Sequence, residues 1–296
     1  MSRAYLCVSI DTVSDQARGW KARHPTSFEG ITNGVRERLH PLFERFGAKP
    51  TYLLAPEVLA DATCVATFRA LAPSCELGTY LPHFQGDHAP EGERRELTSL
   101  TDRFIRAFDH QPQSFRGSRS GIGPASIGIL ESLGYAVDSS VTPHVDAFHD
   151  APCQPYRPDP IAPGQPGDAT LLEVPITIRP RLLRAIPGIG RRVDARWLCP
   201  TRGTAASLVR VAEDAMAAAR RTAPAEPVIL NAMFRNVEVV PWASPYGGDE
   251  EDARGILDRV RALLAFARRE AIAVVGLGDV PSILASAAAQ GRSRGA

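Results

Sequence analysis

Lysine is nearly missing from this chain: Lys21 and Lys49 are its only two, and arginine supplies the rest of its 34 basic residues. Because 33 acidic residues offset them, the formal net charge is +1. No global field therefore draws the chain toward nucleic acid or an anionic membrane surface. The arginine bias reads as a compositional habit and not as a binding surface. Cysteine is sparse and irregular: Cys7, Cys64, Cys75, Cys153 and Cys199 are odd in number and show no C-x-x-C spacing. That argues against a disulfide framework and against a cysteine zinc site. No apolar run approaches membrane-spanning length. No charged n-region and apolar h-region precede the first strand, so the cytoplasm is the expected compartment. No glycine-rich phosphate loop follows that strand, which weighs against a dinucleotide fold. A Gly-x-Ser-x-Gly elbow is also missing, which leaves a serine hydrolase reading with little support.

What is present is an ordinary globular composition, 44% hydrophobic and 23% charged over 296 residues. That length suits one large α/β barrel or two smaller domains. The organising stretch is the first, Ala4-Tyr-Leu-Cys-Val-Ser-Ile-Asp11-Thr-Val-Ser-Asp15. Its continuous apolar run suits a strand buried on both faces, as in a parallel sheet or barrel. Asp11 then falls at the carboxyl end of the strand, on the rim where α/β folds keep their chemistry.

Strand and helix patterns alternate from there. A polar loop over 16–34 could wall a site. A helical pattern from Val35 to Phe46 stops at Gly47, and Pro41 inside it predicts a kink or break. Strands are predicted at Pro50–Ala55, at Cys75–Gly78 with an exit loop from Thr79 to His88, near Phe115–Arg119, at Gly134–Val141, Leu171–Ile178, Val228–Phe234 and Ile272–Leu277. Helices are predicted at Val65–Leu71, Glu91–Phe108, Pro124–Leu133, Thr204–Arg221 and Asp249–Arg269, the last opened by acids and closed by bases as the helix dipole favours. The stretch 142–168 reads as a long surface loop. The expected fold is α/β, a single barrel of parallel strands over 1–285, with a flexible tail over 286–296; an open doubly wound sheet is the alternative.

Several motifs, taken in order, resemble the polysaccharide deacetylase family, also called NodB-homology or carbohydrate esterase family 4. They are Ser9-Ile-Asp11-Thr, Glu76-Leu-Gly-Thr, Ser114-Phe-Arg-Gly-Ser-Arg119, Gly134 to Val141, and Met233-Phe-Arg-Asn-Val-Glu238 through Ser244-Pro-Tyr246, with Ile272 to Val280 closing the match. The resemblance runs from Leu6 to Val280. It implies a distorted (β/α)7 barrel and removal of N- or O-acetyl groups from sugars with a divalent metal, usually zinc. The family's pattern has a base Asp, a metal-binding acid just after it, two metal-binding histidines, an arginine that holds the base, and a late acid histidine. Asp11 matches the base, and Arg116 or Arg119 the arginine. Thr12 and Val13 stand where the metal acid belongs, Tyr80 and Pro82 fall on the histidine pair, and Arg235 replaces the late histidine. Valine and proline offer zinc no side-chain ligand, and Arg235 installs a permanent cation where a group titrating near neutrality is expected.

The machinery expected here is therefore Asp11 as base, Arg116 as its partner and Tyr80 as an acid standing where the family has a ligand. Arg119, Arg235, Asp15, His83, Trp242 and Tyr246 are candidates for holding substrate. The arginines, converging on Asp11, would suit an anionic group. No cofactor is expected; zinc enters only if a site is rebuilt from Asp11, Asp15, His83, Asp87 or His88. Asp138 reads as a turn or cap residue. The leading function is hydrolysis of a C–N amide or an ester bond in a sugar-like or small anionic substrate. The alternatives are a catalytically inactive ligand-binding or scaffold protein, and a barrel repurposed for non-hydrolytic acid–base chemistry. The expected partner is a small-molecule or sugar-like ligand, not nucleic acid or a membrane; the sequence allows a homo-oligomer without specifying one.

Overall fold

The computed structural model describes residues 2–17, 21–83, 89–120, 122–180 and 195–295. The first strand, β1 (Ala4–Thr12), is buried along nearly its whole length, with Leu6, Cys7 and Ile10 at 0–1% exposure. Such burial on both faces is what its unbroken apolar run requires. A helical segment, Gly30–Leu39, is wound with i→i+5 hydrogen bonds, His40 N donating to Val35 O. It runs straight into α1 (His40–Phe46), which ends on Gly47 at φ 61°. The break expected at Pro41 is thus a change of winding. Proline lacks an N–H and sits in the first turn of α1, where none is needed.

Next come β2 (Thr51–Leu54), α2 (Pro56–Ala60), α3 (Ala62–Leu71), β3 (Glu76–His83) and α4 (Pro90–Phe108). Then follow β4 (Ser114–Ser120), α5 (Ser126–Ser132), β5 (Val137–Asp138) and β6 (Leu172–Glu173). The chain finishes with α6 (Ala205–Thr222), β7 (Val228–Arg235), α7 (Glu250–Arg269), β8 (Ala273–Val275) and α8 (Val280–Gly295). The alanine-rich tail beyond Ala285, expected to fray, is helical as far as Gly295, in keeping with alanine's high helix propensity.

The strands form one parallel sheet in the order β7-β1-β2-β3-β4-β5-β6, with β8 pairing only with β1. The sheet curls into a distorted (β/α)7 barrel. Between β6 and β7, its two edges, contact comes from the segment after β6. There Thr177 N donates to Asn231 O at 3.0 Å, and Asn231 N donates to the Thr177 hydroxyl at 2.8 Å. Pro175, which has no N–H to give, sits where β6 stops short of the strand predicted over Leu171–Ile178. β3 is longer than its prediction. Pairing with β4 carries it through Tyr80 to His83, with a register shift between Leu81 and His83 that accommodates Pro82. Tyr80 is therefore a strand residue and not part of an exit loop.

Glu76 closes the bottom of the barrel. Its carboxylate accepts from the Thr51 and Ser114 hydroxyls and from Gly278 N, which ties β2, β3 and β4 to the turn before α8. At the top, Asn236 clips the ends of β1 and β7 together. Its amide accepts from Val13 N at 2.9 Å and donates to Val13 O at 3.0 Å. No helix among the described residues is long and apolar enough to cross a membrane.

Candidate functional site

Strand register decides which side chains meet. Asp11 lies opposite Arg235 in the β1–β7 ladder, and Tyr80 lies opposite Arg116 in the β3–β4 ladder. All four line one cavity of about 940 Å³ at the carboxyl ends of the strands. Asp11 and Arg116 are each 2% exposed and form an ion pair at 2.8 Å. The Arg116 guanidinium is almost fully committed. Its Nε donates to Ser139 O, Nη1 to Asp11 Oδ1, and Nη2 to the hydroxyls of Ser9 and Ser139. Asn231 completes the frame, accepting from the Ser9 hydroxyl at 2.8 Å and donating to the Ser139 hydroxyl at 2.9 Å. A buried ion pair survives only when such bonds satisfy both partners. Arg116 thus fixes Asp11 and has little left to offer a ligand.

Arg235 is the second cation beside Asp11. It hydrogen-bonds to Tyr80 and lies 3.9 Å from Glu238; burial works against its charge, but the carboxylates of Asp11 and Glu238 and the bond to Tyr80 outweigh it and raise its pKa. Burial pushes the Tyr80 hydroxyl up to about 12, so Tyr80 stays protonated as a hydrogen-bonding group at neutral pH. Glu238 is the carboxyl that sequence reasoning missed. It is 1% exposed, accepts from the Thr201 hydroxyl at 2.5 Å, and burial lifts its pKa to about 7 despite that bond and Arg235. A signal for it was present: Asn236-Val-Glu-Val-Val240 is an acid inside an apolar run just after a strand end. The cavity therefore brings together a carboxylate held by arginine, a carboxyl poised near neutrality and a guanidinium shared by both.

A second acid pair lies behind this frame. Asp138 and Glu173 are both 0% exposed and hydrogen-bonded to each other, and desolvation raises both pKa values, Glu173 well above its usual range. Asp138 Oδ2 and Glu173 Oε2 have no donor among the described residues; one proton held between them satisfies both. Asp138 is thus no plain turn residue, although the Ser140 hydroxyl does fold back onto it. Carboxyls with raised folded-state pKa values stabilise the fold below their unfolded values, and that stability is lost as pH rises through the folded ones. Glu173→Gln keeps a donor toward Asp138 and removes the proton-linked part. Its urea-unfolding free energy should fall less than wild type between about pH 5 and about pH 9. Glu76 and Glu238 shift the same way, so the slope flattens without vanishing. Equal slopes in the two proteins would show that the pair binds no extra proton.

The other candidates from the sequence fall in different places. Asp15 is 0% exposed but faces the helical segment at Gly30–Leu39, not the cavity. It accepts from Ser27 Oγ at 2.5 Å, Glu29 N at 2.9 Å and Gly30 N at 2.8 Å. That is a capping role. His83 is exposed at the end of β3. Tyr246 lines the cavity, and Arg202 stacks over its ring at 4.7 Å. Trp242 does not line the cavity; it is 63% exposed at φ 63°. The Arg119 side chain, Asp87 and His88 lie outside the described residues.

Nor do the donors around Asp11 fit the zinc that the resemblance implies. Its neighbours are two guanidiniums, a phenol that stays protonated and the single Glu238 carboxyl, which burial holds toward its acid form. A zinc site takes three or four imidazole, thiolate or carboxylate ligands. Among the described residues no three His, Cys, Asp or Glu side chains converge as a metal cluster.

No protein-family model matches the sequence, and no curated protein is significantly similar to it. Solved structures do share its architecture. A glycoside hydrolase/deacetylase-type protein from Parabacteroides distasonis superposes at TM-score 0.65 with 12% identity, over 95% of this chain and 71% of that one. A GH57 branching enzyme from Thermococcus kodakaraensis gives 0.59 and 12%, over 94% and 71%. A polysaccharide deacetylase-type protein from Mycobacterium smegmatis gives 0.56 and 15%, over 95% and 90%. The fold is thus the one shared by polysaccharide deacetylases and these glycoside-acting barrels, as the motifs implied. At such identities the likeness is one of fold.

Proposed function

We propose that the protein is a hydrolase acting on an amide C–N bond, or an ester, of a sugar-like or small anionic substrate. Asp11 serves as general base and Glu238 as general acid. The observation that carries this reading is the pairing of Asp11, locked by Arg116, with a Glu238 carboxyl at about 7 in one cavity. A carboxylate paired with an arginine, beside a carboxyl whose burial favours its proton, can divide the roles of base and acid.

In the reaction, Asp11 takes a proton from water as its oxygen attacks the carbonyl carbon. The negative charge that develops on the carbonyl oxygen sits beside the Arg235 guanidinium and the Tyr80 hydroxyl. Glu238, protonated, gives its proton to the departing nitrogen or oxygen as the bond breaks. A carboxylate and an amine or alcohol leave, and proton exchange with water returns Asp11 to its charged form and Glu238 to its acid form. The fold's likeness to deacetylases and glycoside-acting enzymes supports a sugar-like substrate.

Because Glu238 must carry its proton, kcat/KM should fall as pH rises through about 7. Glu238→Gln should lower the rate by about 10²-fold or more and erase that limb. The assay is release of acetate from N- and O-acetylated sugars. A profile that rises through neutrality, or no release from any such sugar by the wild type, would overturn the assignment.

A further inference from the structure

We infer that the mouth of the cavity is an oxyanion-binding subsite built by Arg202 and Arg210. The substrate, on the hydrolytic reading above, is then a sugar or sugar-like molecule bearing a phosphate or carboxylate away from the bond that is cleaved. Among the described residues the cavity is lined by five arginines and two acids, Asp11 and Glu238. Interior charge is balanced locally. Arg116 is matched by Asp11, Arg196 pairs at 2.7 Å with Asp214 outside the cavity, and Arg235 is shared among Asp11, Glu238 and Tyr80.

Arg202 and Arg210 remain. Both are exposed along the lining, and neither forms an ion pair among the described residues. Arg202 is braced by its stacking on Tyr246, which orders a guanidinium without neutralising it. Arg210 projects from α6, whose first turn also borders the cavity at Ser207, so the positive end of the helix dipole adds to the same field. Two planar guanidiniums suit a tetrahedral or planar oxyanion that can accept bidentate bonds. Trp197 and Tyr246, also in the lining, offer apolar faces to a ring held between this end and Asp11.

The test is calorimetric titration of the full chain with N-acetylglucosamine 6-phosphate, N-acetylmuramic acid and neutral N-acetylglucosamine. The binding arms use the Asp11→Asn protein, so that no ligand is consumed. At least one anionic sugar should bind roughly tenfold or more tightly than the neutral one, with affinity that falls as salt is added. The better of the two identifies the oxyanion as phosphate or carboxylate. Adding Arg202→Gln and Arg210→Gln, both at exposed positions, should remove the preference while leaving the melting curve in place. Equal binding of all three sugars, or a preference that survives the double substitution, overturns the subsite. Failure of the hydrolytic reading looks different: the wild type then shows the anion preference but releases no acetate. Conversely, wild-type hydrolysis that is equally fast on neutral and anionic sugars sinks the subsite and leaves the hydrolase.

Discussion

Arg116→Ala is expected to destabilise the protein by about 3–5 kcal/mol, the usual cost of leaving one member of a buried ion pair unpartnered. The loss extends beyond the 2.8 Å bond to Asp11. Ser9, Ser139 and the Ser139 carbonyl each lose a donor in a region with no solvent to replace it. Arg116→Lys should not rescue the fold, because three N–H groups on one nitrogen cannot reproduce a planar fork that holds four partners at once. Urea unfolding of the variants reads the effect. If Arg116→Ala lost under 1 kcal/mol or so, the pair would be behaving as a solvated surface bridge, and the buried frame around Arg116 would not exist. Combining Arg116→Ala with Asp11→Asn should recover part of the loss, since the double variant buries no lone charge.

Asp11→Asn alone is expected to lower kcat by about 10²–10⁴-fold, the range for removing a general base, in a protein that still folds. Asparagine preserves the shape and an acceptor for Arg116. The guanidinium charge that is then uncompensated acts on the neighbouring Asp138–Glu173 pair, whose ionisation Arg116 already favours. The pair can release its proton and supply the missing negative charge. The measurements are acetate release and a melting curve on the same preparation. Turnover within severalfold of wild type would remove Asp11 from the base role. A wild type that turns over nothing while retaining ligand affinity would point to the binding-protein alternative.

The parts of this molecule that the sequence displays are those with a pattern longer than one residue. β1 is legible because a run of apolar side chains has one reading, a strand buried on both faces, and Asp11 is conspicuous because it ends that run. Gly47 and the acid-to-base gradient of α7 mark helix ends by known chemistry. Arg116 could be placed but not its commitments, since Ser9, Ser139 and Asn231 are unremarkable letters until register brings them together.

Where the sequence misled, a local group outcompeted the pattern. The strand predicted over Gly134–Val141 ladders only at Val137–Asp138. Beyond it Ser139 bonds to Arg116, while the Ser140 hydroxyl takes Gly117 N. Asp15 was weighed as a ligand because it follows Asp11 so closely; three donors from 27–30 claim it instead. Glu238 was overlooked because its chemistry comes from burial, which one letter does not carry.

Gly30 and Gly34 have a bearing on inheritance that their distance from the cavity conceals. A Cβ at Gly30 would stand 2.9 Å from the Asn236 amide and from Val237, and one at Gly34 would stand 3.0 Å from Val240. Those neighbours form the short segment that carries Glu238 and clips β1 to β7. A methyl group on that helix would therefore move the acid by tenths of an ångström without touching a ligand. Two glycines that contact no substrate thus constrain which sequences can keep the site in alignment. A mutational library confined to the cavity walls would explore its chemistry while leaving untouched the residues that set its dimensions.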